Sequence, residues 1–172
     1  PLTAVPDPEG CNDSWADHYK APLRTALAEL GVEMVEVSQT EMYRAGTYRE
    51  QVLHAVRNRR AIDAVLDRYR TKARPEPLKD ADGNVLLDED GKPVLPEPVD
   101  PLTLPENLAR FPYKPYCRGC GRDTVDITSY DDETTDLAYT CRECGESYVT
   151  NVATQDEGKL AWKIDWPMRW AF

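Results

Sequence analysis

Two Cys-x-x-Cys units constrain this chain more than any other feature. They are Cys117-Arg-Gly-Cys120 and Cys141-Arg-Glu-Cys144, separated by twenty residues and each followed by a glycine, Gly121 and Gly145. Two residues between cysteines let the backbone turn so that both sulfurs face one ion. The glycine after the second cysteine supplies the positive φ that such a tight turn needs. A twenty-residue spacer is long enough for a hairpin that returns the second pair to complete a tetrahedron. Four thiolates fill a zinc coordination sphere and leave no position for water, so the predicted site is structural and not catalytic. Its binding energy becomes folding energy for a small β module, a zinc ribbon over residues 111–160. The alternatives are two redox-active disulfides or an iron–sulfur site, and the spacing favours zinc.

The fifth cysteine, Cys11, stands apart. An odd, clustered set argues against a secreted disulfide framework and for a reducing, cytoplasmic setting. No run approaches the ~20 apolar residues that span a bilayer, and no signal peptide is visible. The chain opens on Pro1 without Met, as expected of a processed or truncated product. A net charge of −10 disfavours non-specific nucleic-acid binding, although a local basic face on an acidic body is compatible with it.

Upstream of the ribbon the pattern predicts a mixed α/β layer. Residues 1–13 are Pro-rich and turn-forming. Trp15, Tyr19, Leu23, Ala26, Leu27 and Leu30 then recur at helical steps, capped by Ser14 or Asp13 and stopped by Gly31. Pro22 predicts a kink or a split. The β-branched run Val32 to Val37 predicts a strand. Residues 47–71 predict the strongest helix, with Val52, Ala55, Arg59, Ile62, Leu66 and Tyr69 on one stripe and a capping box from Thr47 to Glu50. Seven prolines between Pro75 and Pro105 exclude a long helix from 72–110. Inside that stretch DADGNVLLDEDGKPV predicts a small hairpin with Asp-Gly turns. Its aspartates lack the order and the closing Glu of a calcium loop. Four short strands are predicted in the ribbon, within TVDITSY, DLAYT, ESYVTNV and KLAWKID.

Three further groups carry chemistry. Asp7, Cys11 and His18 are all zinc-ligand types within twelve residues. Cys11 and His18 converge only if the chain before Ser14 is a loop, and the spacing alone favours a free buried thiol and a surface histidine. His54 stands alone on the middle helix, in a solvated or capping role. Arg57, Arg59, Arg60, Arg68, Arg70, Lys72 and Arg74 crowd the end of that helix. They form either a phosphate-contacting face or ordinary dipole and Asp63/Asp67 pairing. Trp162, Trp166 and Trp170 lie within nine residues beside Arg169. They suit base stacking or a clamp on a cationic substrate, while the spacing alone favours a core stripe.

The run KIDWPMRWAF (163–172) resembles the segment leading into the second half of the catalytic domain of class I lysyl-tRNA synthetases. VPDPEGCNDSWADHY (5–19), Glu41-Met-Tyr43, Gly46-Thr-Tyr48 and Leu104-Pro-Glu-Asn107 before the first CxxC are similar to stretches of the same family, in the same order. The resemblance implies part of a Rossmann-like catalytic domain interrupted by a zinc-bearing insertion. It divides the chain into a catalytic part (1–74), a Pro-rich insertion (75–110), the ribbon (111–160) and a return segment (161–172). It implies an enzyme that uses ATP to attach lysine to tRNA(Lys). The family's HIGH-like and KMSKS-like signatures are absent here, so the chain is expected to be a central fragment, inactive alone. The resemblance also implies a second zinc at Asp7, Cys11 and His18, where Asn12 replaces a relative's histidine. It implies a tryptophan near the lysine pocket, with Trp162 the first choice, then Trp166 and Trp170. The phosphate-face reading of the basic cluster puts tRNA contact at Arg57, Arg60 and Arg68.

Two other readings compete. A free-standing zinc-ribbon module would bind RNA or protein without catalysis. A redox protein would show reversible disulfides and no stoichiometric metal.

Overall fold

A computed structural model describes residues 2–70, 75–97, 100, 102–154 and 157–172. Lys72, Arg74, Pro98 and Pro101 fall outside them. The architecture is mixed α/β. Helix α1 (Trp15–Glu29) starts at Ser14, whose hydroxyl accepts from the Asp17 N–H. It runs unbroken through Pro22, so the helix is not split there. It ends in a Schellman motif at Gly31 (φ 67°): Gly31 N–H donates to Ala28 and Val32 N–H to Leu27.

Val32 to Val37 form no strand. β-branching favours extended chain, but a strand needs a ladder partner, and none of the described residues pairs with this run. Its apolar side chains stand in solvent, Val35 at 90%.

Helix α2 (Gln39–Arg44) is followed by α3 (Arg49–Arg57) and α4 (Arg59–Asp67). The single helix expected over 47–71 is thus interrupted at Asn58 (φ −100°, ψ 14°). Tyr48, not Thr47, precedes α3, and the expected capping box does not form. Instead Tyr48 is buried between the Tyr43 and Phe172 rings, each centroid 5.1 Å away.

The break at Asn58 re-aims Arg59, the cation that interrupts the apolar stripe. Its side chain is only 12% exposed and pairs with Glu106 at 2.6 Å and Asp132 at 2.7 Å. The guanidinium also lies over the Tyr130 and Phe111 rings, 5.0 and 5.9 Å from their centroids. One side chain therefore ties the helices to the sheet. Arg59→Ala is expected to lower unfolding stability by about 2 kcal/mol, less than for fully buried charge pairs because Asp132 is solvated. Chemical denaturation measures it. Lysine, lacking the planar fork, should recover little.

The segment 78–94 makes two tight turns, at Asp80–Gly83 and Asp88–Gly91, with isolated bridges Lys79↔Val85 and Leu87↔Pro93. Each leading aspartate accepts two backbone N–H groups through Oδ1, Asp80 from Asp82 and Asn84, Asp88 from Asp90 and Lys92. The expected hairpin is thus a pair of Asx-stabilised turns.

Strands β1 (Tyr113–Pro115) and β5 (Gly158–Leu160) form one antiparallel pair. β2 (Val125–Tyr130), β3 (Asp136–Cys141) and β4 (Ser147–Asn151) form a separate meander. A short strand is expected within KLAWKID. Strand ends at Leu160, and α5 (Trp162–Arg169) begins two residues later. The core joins α3 to both sheets through Val52, Val56, Tyr113, Leu137, Tyr139 and Leu160.

Candidate metal centre and adjoining cleft

The meander brings the two cysteine pairs together. Cys117 leaves β1 by way of Tyr116, and Cys141 is the last residue of β3. In each unit the glycine after the second cysteine donates to the carbonyl of the first, Gly121 to Cys117 at 2.7 Å and Gly145 to Cys141 at 2.9 Å. Both glycines have positive φ, 71° and 75°. The sulfurs stand 3.6 Å apart across the units, Cys117 to Cys144 and Cys120 to Cys141. All four ligand atoms lie within 4.8 Å of one another. Zinc with Zn–S bonds of ~2.3 Å has a tetrahedral S···S edge of about 3.8 Å, so this donor set fits that ion. A disulfide would need ~2.05 Å, and all four cysteines are free.

A local dipole favours the thiolate at Cys141. The Cys144 backbone N–H bonds the Cys141 sulfur and, against the opposing effect of burial, draws that thiol down to about 7. Gly119 N–H donates to the Cys117 sulfur at 3.3 Å. Tyr139 accepts from the Arg118 N–H at 3.3 Å and braces the first turn from the core side.

The second trio also converges, because residues 5–14 are a loop that folds back on α1. Cys11 Sγ lies 3.3 Å from Asp7 Oδ2 and 3.8 Å from His18 Nδ1, and His18 Nδ1 lies 3.2 Å from Asp7 Oδ1. The free buried thiol and lone surface histidine expected from spacing are therefore not what the chain forms. Cys11 is exposed, and Asp7 is the buried member. Burial would raise the Asp7 carboxyl. The Glu9 and Asn12 N–H groups, with the Cys11 and Asn12 side chains, outweigh it and hold the carboxyl well below the usual carboxylate range. Asn12 Nδ2 sits 3.2 Å from both Asp7 and Cys11, occupying the fourth corner with a neutral amide. The group can hold a metal through three ligands.

The tryptophans are not a core stripe. Trp162, Trp166 and Trp170 are 69%, 58% and 83% exposed. α5 turns Ile164, Asp165 and Met168 inward, which leaves the tryptophans on its solvent side. Asp165 is buried and accepts from Tyr43 Oη at 2.5 Å, Arg169 pairs with its other oxygen, and Tyr43 Oη accepts from the Leu160 N–H at 3.1 Å. Burial and the neighbouring carboxylate push the Tyr43 phenol far up, so it stays a donor. Trp162 and Trp166 line a cleft of about 530 Å³ between α5, α2 and the β1–β5 pair; Trp170 does not.

Sequence reasoning did not find this cleft. Tyr43 and Asp165 are 122 residues apart in the chain. The available signal was period-2 alternation in YKP and GKL, which puts Lys114 and Lys159 on one face.

The basic cluster is divided. Arg60 donates to the Leu102 and Leu104 carbonyls at 2.5 and 2.8 Å. Arg70 and Arg110 pair with Asp63 and Asp67. Arg57 and Arg68 are exposed and make no ion pair among the described residues. His54 is exposed at the end of α3.

Fold and site together define a mixed α/β chain with a four-cysteine cluster able to hold a metal. All of residues 1–172 match the model of one family, tRNA synthetases class I (K). The chain belongs to that family. It is 43% identical over 184 residues to the lysine--tRNA ligase of Streptomyces coelicolor, covering 100% of this chain and 30% of the relative. It is 31% identical to that of Thermococcus kodakarensis, over 99% of this chain and 27% of the relative. With that of Methanocaldococcus jannaschii it shares 28% identity, over 99% and 26%. The chain thus spans about 30% of the length of the curated relatives it matches. No helix among the described residues is long and apolar enough to cross a membrane.

Proposed function

We propose that the chain is the central part of a cytoplasmic lysine--tRNA ligase that uses ATP to attach lysine to tRNA(Lys), and that it does not charge tRNA by itself. The observation that carries this reading is the family match across every residue. In the reading, residues 1–74 contribute to a Rossmann-like catalytic domain, 75–110 are an insertion, 111–160 a zinc ribbon and 161–172 the return to the catalytic domain. Val32 to Val37 would then find the ladder partner they lack here in the rest of that sheet.

Cys117, Cys120, Cys141 and Cys144 would hold one zinc, which supplies folding energy and no Lewis acid to substrate. Asp7, Cys11 and His18 would hold a second, more weakly, since the Asn12 amide is a poor fourth donor. Trp162, at the mouth of the cleft, is the tryptophan we place against the lysine, ahead of Trp166 and Trp170. Arg57, Arg60 and Arg68 form a phosphate face along the helix end.

The intact protein, given lysine, ATP and tRNA(Lys), is expected to form lysyl-tRNA; absence of charging would refute the reading. Reversal of Arg57 and Arg68 to glutamate should weaken tRNA binding and flatten its salt dependence, by ~0.9 in log–log slope for each duplex phosphate no longer neutralised. Reversal of Arg60 should do more, because its loop carbonyls also lose their donor. Unchanged affinity and slope would remove the phosphate face.

A further inference from the structure

Asp7, Cys11 and His18 present one face of a coordination tetrahedron. Zinc bonded at ~2.3 Å to sulfur and ~2.1 Å to nitrogen and oxygen sets such donors about 3.4–3.6 Å apart. The three edges here are 3.2, 3.3 and 3.8 Å. One oxygen, one sulfur and one nitrogen suit a borderline ion such as zinc or cobalt, and neither magnesium nor calcium.

The fourth vertex differs in kind. Asn12 Nδ2 donates to Asp7 Oδ2 and to Cys11 Sγ, so the amide turns hydrogens, not a lone pair, towards the site. Those hydrogens belong to a wider set. The Asp7 side chain is fully buried, and a buried charge without partners is costly. Its carboxylate also accepts from the Glu9 N–H at 3.0 Å, from the Asn12 N–H at 2.8 Å and from the Cys11 thiol. Backbone bonds that use no ligand atom close the same loop: Gly10 N–H to the Asp7 carbonyl and Trp15 N–H to the Val5 carbonyl. The charge that a metal would neutralise is thus already met by hydrogen bonds. The ribbon offers the contrast. There Cys117 and Cys141 are buried and four sulfurs can enclose an ion; here Cys11 is exposed, so a chelator can reach the ion from its side.

We propose that the trio is an exchangeable zinc site. Asn12 makes the ion dispensable for the fold of residues 5–14, and a bound ion keeps its fourth position open to a solvent ligand. The proposal rests on the assignment of a second zinc to this trio and deepens it. The chain then carries two metals of different kinds, one locked in the ribbon and one that comes and goes with the free zinc concentration.

The test titrates the intact protein with zinc against a chromophoric chelator at fixed pH, with amide hydrogen exchange of residues 9–17 as a second readout. The wild type should hold two ions, one that the chelator leaves and one that it removes. Removal of the second should change protection of the Glu9, Asn12 and Trp15 N–H groups by less than about twofold. Asn12→His supplies a fourth ligand and should tighten the second site more than about 100-fold, beyond the 10–100-fold typical of outer-shell partners. Asn12→Ala removes two hydrogen bonds; without zinc its protection should fall about tenfold, and zinc should restore it. Cys11→Ser should hold the ribbon ion alone. Wild-type protection that collapses when the second ion is removed, an Asn12→Ala protein as protected as the wild type without zinc, or unchanged affinity in Asn12→His overturns the proposal. A wild type that takes up one ion at every zinc concentration, as Cys11→Ser does, overturns the second-zinc assignment itself.

Discussion

A Cys141→Ser protein is expected, on the proposed zinc assignment, to lose its metal and, with it, the cooperative folding of β2, β3 and β4. Cys141 is fully buried at the end of the central strand, so serine would leave a buried hydroxyl facing an incomplete three-sulfur site. Structural zinc binding contributes on the order of 10–16 kcal/mol in small modules. Whole domains are stable by only about 5–15 kcal/mol. Loss of the ion therefore exceeds what the meander's short strands and few buried side chains can supply. Zinc analysis and circular dichroism melts measure both consequences. Cys11→Ser is the comparison: its sulfur lies outside both sheets, and the main melting transition should remain. A Cys141→Ser protein that melted like the wild type would mean that packing, not metal, holds the meander.

The second large effect is expected at Gly158, the β5 partner of Pro115. A Cβ there would clash with Tyr113 Oη and Cζ and would lie 2.9 Å from the Lys114 carbonyl oxygen. Tyr113 is a buried core ring and cannot swing away. Gly158→Ala should then cost about 3 kcal/mol or more, at the upper end of overpacking. The damage should spread, since β5 presents the Leu160 N–H to Tyr43 and leads directly into α5. Urea denaturation, with fluorescence of the α5 tryptophans as a local report, follows both. Tyr113→Phe in the same chain removes the clashing oxygen and should restore part of the loss.

What the sequence made legible follows from the range of each interaction. The cysteine turns were readable because two-residue spacing and a positive-φ glycine are local requirements. The Schellman stop at Gly31 was readable for the same reason. Val32 to Val37 misled because β propensity fixes chain extension, whereas a strand exists only with a neighbour. The tryptophans misled because their spacing matches a core stripe, while the residues that turn inward on α5 are Ile164, Met168 and Asp165, the last held by a tyrosine from α2. Arg59 was visible only as an anomaly, since its partners Glu106 and Asp132 lie 47 and 73 residues away. The cleft was invisible because its residues come from α2, both members of the β1–β5 pair and α5, which only the tertiary fold assembles.

Zinc quantification with X-ray absorption on Cys11→Ser protein tests the four-sulfur centre most directly, because that variant removes the second trio's thiol. One equivalent of zinc with four sulfur neighbours at ~2.3 Å is the expected result. A metal-free protein, or a disulfide within either Cys-x-x-Cys unit, would contradict it.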